Sequence, residues 1–190
     1  MEIRLFTPSD AEDLAPLLEE MQAYYEVFCP PRDEIIETLS HLPPGAEILI
    51  ARTDRLVGMA GFGVNFPGHG LKPGFFLKDL YVLASARGSG IGSRLMQKLA
   101  ELAVERGLTR IDWTASSSNE TLQQFYGELG GELKDDRVFF RLTGENCWPL
   151  RPATDLISAG KPAELLVHLL CFKTRVAQSQ SSGATTRRVS

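Results

Sequence analysis

"SARGSGIGSRL", Ser85 to Leu95, carries glycines at Gly88, Gly90 and Gly92 and runs straight into the amphipathic segment "LMQKLAELAVERG". Glycine is the costliest non-proline residue in a helix, so a cluster of them at a helix entrance needs a reason. The flanks supply a context. "FFLKDLYVL" before the stretch reads as a strand, and Ile91, Leu95, Leu99 and Leu102 after it recur on one helical face. "TRIDWTAS" then reads as a second strand. Strand, glycine loop, helix and strand form a βαβ unit, which requires a parallel pair with a right-handed crossover.

Working outward, "EIRLF" alternates as a strand does, and "TPSDAEDLAPLLEEMQAYYEV" has apolar residues at helical spacing, with Ser9 and Glu12 as an expected capping box. "DEIIETLSHL" is a second, shorter helix. "AEILIAR" and "RLVGMAGFGV" read as a hairpin turning at Thr53 and Asp54. Downstream of the βαβ unit, "SNETLQQFYGELG" is a short helix stopped by Gly130 and Gly131, and "VFFRL" is a last expected strand. The order β-α-α-β-β-β-α-β-α-β predicts an α/β (mixed α+β) fold. Its central sheet is mixed and mostly antiparallel, with one parallel βαβ unit and helices on both faces. Residues 1–143 make up this domain. Residues 144–190 are a C-terminal extension with a possible helix over 162–177 and a polar tail expected to be disordered. "ELLVHLL" within it would dock on the sheet edge or on a second copy of the chain, as in a homodimer, or else belong to a poorly ordered tail.

Bulk composition excludes several classes. The 190 residues carry a net charge of −4; Lys173, Arg175, Arg187 and Arg188 stand after the last acid, Glu164, so residues 1–164 carry −8. That is no electrostatic footprint for nucleic acid. Cys29, Cys147 and Cys171 are too far apart for a zinc or disulfide framework, so no metal site is expected and the thiols read as reduced. The acidic start "MEIRLFTPSDAEDLAP" is not a signal peptide, and the longest late apolar run, "LLVHLLCF", is too short to span a membrane. A cytoplasmic protein without membrane contact is the expectation.

Three chemistries use glycine loops of this kind. A phosphate loop of the Walker type needs Lys and then Ser or Thr after its last glycine; Gly92 is followed by Ser93 and Arg94. A dinucleotide loop needs a third glycine where Ser93 stands, and an acid at a strand end where Asp112 is internal. The third option begins at Arg87: Arg87-x-x-Gly90-x-Gly92 leads from a strand end into the first turn of a helix, where free N–H groups and the helix dipole favour an anion. A tight turn needing positive φ remains open as a purely structural reading, although one glycine would satisfy it.

"DLYVLASARGSGIGSRLMQKLAELAVERG" resembles the acyl-CoA-binding motif of the GNAT superfamily of N-acyltransferases, a strand followed by R/Q-x-x-G-x-G/A and a helix. "SSSNETLQQFYGELG" is similar to that family's next segment, and the order of elements matches over about residues 2 to 142. The resemblance implies a fold, a donor and a set of roles. Leu80, Tyr81 and Val82 would hold the pantetheine arm of acetyl-CoA through their main chain. Gly88, Ser89, Gly90, Ile91, Gly92 and Ser93 would cradle its pyrophosphate. Arg87 and Arg94 would add charge or remain solvated surface residues. Asn119 would contact the cofactor or simply cap its helix. Tyr126 would act as the general acid that protonates the departing thiolate, unless it is a core aromatic.

The implied reaction is transfer of an acetyl group from acetyl-CoA to a primary amine, preferably of a small molecule. A protein N-acetyltransferase, or a non-catalytic acyl-CoA-binding or interaction protein on the same fold, are the alternatives. Within the family, the diamine and polyamine branch is the nearest comparison, and it has a glutamate where this chain has Lys78. Lys78 cannot be that base and would repel a polycation. Strand alternation is expected to turn Asp79 to the face opposite Lys78. Glu26, Asp112 and Tyr24 are left as candidates for base or substrate contact.

Overall fold

The unbroken apolar runs in "AEILIAR" and "LVGMAGFGV" can be covered on both faces only if helices lie on each side of the sheet they form. The computed structural model, described here for residues 1–143, has that layout. It comprises β1 (Glu2–Leu5), α1 (Ala11–Tyr24), α2 (Arg32–Ser40), β2 (Ala46–Arg52), β3 (Leu56–Asn65), β4 (Gly74–Val82), α3 (Ile91–Glu105), β5 (Ile111–Trp113) and α4 (Glu120–Glu128). The sheet order is β1-β2-β3-β4-β5, antiparallel throughout except for the parallel β4–β5 pair. The expected fold class and the βαβ unit are both present.

Helix α3 covers one face through Ile91, Leu95, Leu99 and Leu102, the face read from the sequence, and all four are buried. It lies so close to β3 that a Cβ on Gly58 would stand 3.1 Å from Ile91 Cγ2 and from the Tyr81 carbonyl oxygen. Helix α1 covers the opposite face, where Glu20 meets the Tyr81 hydroxyl. Leu14, Ala15, Leu17 and Met21 of α1 are buried there.

Three expectations need correction. The capping residues before α1 are Thr7 and Asp10 rather than Ser9 and Glu12, because a 3-10 turn over Pro8–Asp10 precedes the helix. The strand "TRIDWTAS" forms only over Ile111–Trp113, where β4 provides a ladder. "VFFRL" forms no strand: residues 134–143 contain neither helix nor strand, since β propensity without a ladder partner does not make one. Met1–Leu133 form one compact unit, and Lys134 begins another. The extension, the helix over 162–177, the tail and the thiols of Cys147 and Cys171 lie outside the described residues. Cys29 is a free thiol, and no helix among the described residues is long and apolar enough to cross a membrane.

Asp10 fastens α1 to the sheet edge. Only 4% exposed, it accepts both Arg4 guanidinium nitrogens at 2.7 Å, the Thr7 N–H at 3.0 Å and the Thr7 hydroxyl at 2.9 Å. The Arg4 hydrogen bonds, against the opposing cost of burial, hold its pKa well below the usual carboxylate range. A depressed folded-state pKa stabilises the fold above the unfolded value near ~4, and that contribution is lost as pH falls below it. Asp10→Asn is therefore expected to cost about 2 kcal/mol at pH 7. Urea unfolding should show the gap between variant and wild type shrinking as pH is lowered from 5 to about 3.

Candidate active site

The site is built where β4 changes partners. Along β3 the register runs Gly61↔Asp79 and then Phe62↔Leu77, so Lys78 is an extra residue bulged out of the ladder. On the other edge, pairing with β5 ends at Leu77↔Trp113. Beyond the bulge β4 continues along β3 alone, and its β5 side lies open. Leu83 donates its N–H to the Val57 carbonyl. Alternate residues of an antiparallel strand turn their peptide groups the same way, so Tyr81 also faces β3, opposite Met59. Leu80 and Val82 therefore present N–H and C=O to the open side. The three residues expected to act through their main chain are divided accordingly: Leu80 and the Val82 N–H are open, the Val82 carbonyl accepts from Arg87, and the Tyr81 peptide is committed to the sheet.

The glycine loop continues from that open edge. Gly88 and Gly90 take left-handed φ of 79° and 76°, and Gly90 is the N-cap of α3. A turn needing positive φ thus accounts for two of the glycines, where one had been thought enough. Gly92 has no such φ; it faces α4, where a Cβ would come into ordinary contact, 3.4 Å, with Phe125 Cζ. Among the described residues the N–H groups of Gly88, Ser89, Gly90, Ile91, Gly92 and Ser93 have no protein acceptor, while Arg94 N–H resumes the helical ladder to Gly90. Such a run of free amides at a helix N-terminus suits an anion.

Arg87 turns away from the loop. Its Nε donates to the Val82 carbonyl at 3.0 Å, and its guanidinium lies 4.7 Å from the Tyr24 ring centroid and 5.3 Å from that of Tyr81. Arg94 instead borders a separate cavity with Ile3, Gln97 and Lys98. Asn119 Oδ1 accepts the Leu122 N–H at 2.9 Å, so its side chain caps α4. Tyr126, on α4, packs its ring 5.2 Å from Trp113 and 5.1 Å from Phe125, half-buried.

All four tyrosines of the chain gather around the open edge. Tyr24 meets Tyr25 and Tyr81 edge-on at 5.3 and 5.9 Å, and Tyr25 is electrostatically coupled to Tyr126 and to Asp79. Burial raises the Tyr126 phenol, with a further push from Tyr25. Burial and then Asp79 raise Tyr25; burial and the Glu20 hydrogen bond raise Tyr81. These three phenols stay protonated at neutral pH and are available as donors.

The bulge overturns one expectation. Strand alternation had separated Lys78 from Asp79, but an inserted residue breaks alternation, and Lys78 Nζ lies 3.5 Å from Asp79 Oδ2. Asp79 shares its face with Tyr81 and is the carboxylate that bears on Tyr25. Asp112 is engaged elsewhere, 2.8 Å from Arg110 Nε, and Glu26 stands in the turn after α1 at φ 54°. Glu20 escaped notice in the sequence. Its Oε1 accepts both the Tyr81 hydroxyl at 3.0 Å and the Ala84 N–H at 2.9 Å, joining α1 to the end of β4. The available signal was its place one helical turn before Tyr24.

This chain matches the acetyltransferase (GNAT) family over residues 14–130 and belongs to it. It is 24% identical over 137 residues to L-ornithine N5-acetyltransferase NATA1 of Arabidopsis thaliana, covering 72% of this chain and 55% of that protein. It is 23% identical over 147 residues to D-amino-acid N-acetyltransferase HPA3 of Saccharomyces cerevisiae, covering 75% and 90%. Among solved structures, an integron cassette protein of V. cholerae aligns at a TM-score of 0.69 with 30% identity, over 77% of this chain and 94% of that one.

Gly90→Ala forces a Cβ into the left-handed conformation, which costs about 1–2 kcal/mol. Thermal melts should show that loss with the helical circular dichroism signal retained. An unchanged melting temperature would mean that the loop relaxes freely.

Proposed function

We propose that the protein transfers the acetyl group of acetyl-CoA to the primary amine of a small molecule. The observation that carries this reading is the continuity of the open β4 edge at Leu80 and Val82 with the six free amides of the glycine loop. Together they offer a main-chain track for an extended amide-bearing arm and an anion cradle at its end. Pantetheine pyrophosphate has that combination of groups. The family membership supports the donor. The names of two relatives, an ornithine and a D-amino-acid acetyltransferase, support a small amine as acceptor. The free Cys29 thiol suits a cytoplasmic location.

In this reading the loop amides of Gly88 to Ser93 hold the pyrophosphate. Leu80 and Val82 hydrogen-bond the arm and aim the thioester into the gap beyond Trp113. Arg87 releases the Val82 carbonyl as the arm takes it. The uncharged amine attacks the thioester carbonyl, a C–N bond forms, and the C–S bond breaks. The Tyr126 hydroxyl donates its proton to the leaving sulfur, and the nitrogen gives up its own proton to Asp79 or to solvent beside it. Burial of Tyr126 keeps the acid protonated, so the rate should fall only above the ordinary phenol pKa near ~10.

Thiol release from acetyl-CoA with a panel of amines tests the assignment. Tyr126→Phe should lower kcat about 100-fold with little change in the KM for acetyl-CoA. Turnover equal to wild type would remove Tyr126 from the chemistry. Failure of acetyl-CoA to bind in calorimetry would overturn the reading as a whole.

A further inference from the structure

A shallow hollow of about 460 Å³, wide open to solvent, lies on the sheet beside the bulge, bordered by Phe62, Gly63, Asn65, Phe76 and Lys78 with the turn at Pro44 and Gly45. Its lining is aromatic and small apart from two polar side chains. Lys78 is the only charged one, and Asn65 supplies the only side-chain amide. The Lys78 side chain is 62% exposed, and its one ion-pair contact, to Asp79 at 3.5 Å, forms no hydrogen bond. An exposed pair of that kind contributes little, so the ammonium is free to turn to a ligand. A hollow with one cation and one amide is built for a monoanion. A phosphate dianion would need more donors, and Asp79 beside it would repel the second charge.

We infer that the acceptor is an amino acid, an amine whose skeleton also carries a carboxylate, with that carboxylate held by Lys78. This rests on the acetyltransferase reading and names its substrate class. Lys78 and Asp79 present opposite charges side by side, the complement of an amino-acid zwitterion. The carboxylate meets Lys78 with Asn65 as a second donor, and an ammonium meets Asp79. Because Lys78 is the bulged residue, the charge that selects the acceptor sits where β4 leaves β5. The gap that receives the thioester starts at the same point. A diamine without a carboxylate would meet an unpaired cation there.

The test uses the full chain and two acceptor pairs that differ only by a carboxylate: L-ornithine with 1,4-diaminobutane, and L-lysine with 1,5-diaminopentane. The expected result is a kcat/KM at least about ten-fold higher for the amino acid of each pair, the size of one charge-assisted contact. Lys78→Met should bring the ratio towards one, and Lys78→Glu should invert it, with unchanged circular dichroism in both. Equal or better turnover of the diamines by the native protein would overturn the inference and leave the acetyltransferase reading standing. If neither member of either pair is acetylated, the acetyltransferase reading fails with these amines, and calorimetry then decides the carboxylate assignment. Tighter binding of ornithine than of 1,4-diaminobutane, lost in Lys78→Met, upholds it; equal binding overturns it.

Discussion

One inserted residue in β4 sets the rest of the site. With Lys78 bulged out of the β3 ladder, the strand bends, and its pairing with β5 stops at Leu77 and Trp113. Without the bulge, β5 could continue alongside β4, and the peptide groups of Leu80 and Val82 would be consumed by the sheet. The free edge is thus a local failure of pairing held inside an otherwise complete sheet. It persists because both flanks are fixed. Tyr81 stays in register with Met59, and Glu20 on α1 holds both the Tyr81 hydroxyl and the Ala84 N–H. The strand end is therefore held through α1, while on the open side Arg87 occupies only the Val82 carbonyl.

The same geometry decides the electrostatics. Phenols stand here beside two carboxylates, Glu20 and Asp79, and each phenol with a perturbed pKa is displaced upward, chiefly by burial. A cluster of neutral donors can stabilise a developing thiolate without first having to lose a proton of its own. Arg87 adds the only cation against the Tyr24 and Tyr81 rings, and it does so while holding the Val82 carbonyl. Its side chain satisfies a backbone acceptor that the open edge would otherwise leave to water. The arginine in the loop motif therefore acts on the strand behind it, and in the proposed function anion binding falls to the main-chain N–H groups of the loop.

What could be read from the sequence followed from local pattern. Helix α3 was legible because Ile91, Leu95, Leu99 and Leu102 repeat at helical spacing. The βαβ unit was legible because the glycine loop stands between two apolar strands. Tyr126 was placed on its helix because Gly130 and Gly131 mark that helix's end. The bulge was not legible: nothing in "FFLKDLYVL" distinguishes Lys78 from its neighbours, and the register is set by β3, some twenty residues earlier. For the same reason Asp79 was assigned to the wrong face, and Glu20 was passed over as one acid among several on α1. "VFFRL" failed in the opposite direction, a strong local preference with no ladder to join. Long-range pairing decides these positions, and a single sequence carries little trace of it.

The third glycine links the two halves of the site. Gly88 and Gly90 serve the backbone of the loop, while Gly92 faces α4, where a Cβ would just touch the Phe125 ring. Phe125 is the immediate neighbour of Tyr126, and their rings touch at 5.1 Å. The first turn of α3, which supplies the free amides, is thus packed directly against the helix that carries the phenol. A Cβ at position 92 would only come into ordinary contact with the Phe125 ring, whereas a longer side chain would press on α4 and so on Tyr126. In the proposed function, the contact at Gly92 therefore joins the first turn of α3 to the helix that carries the proposed acid.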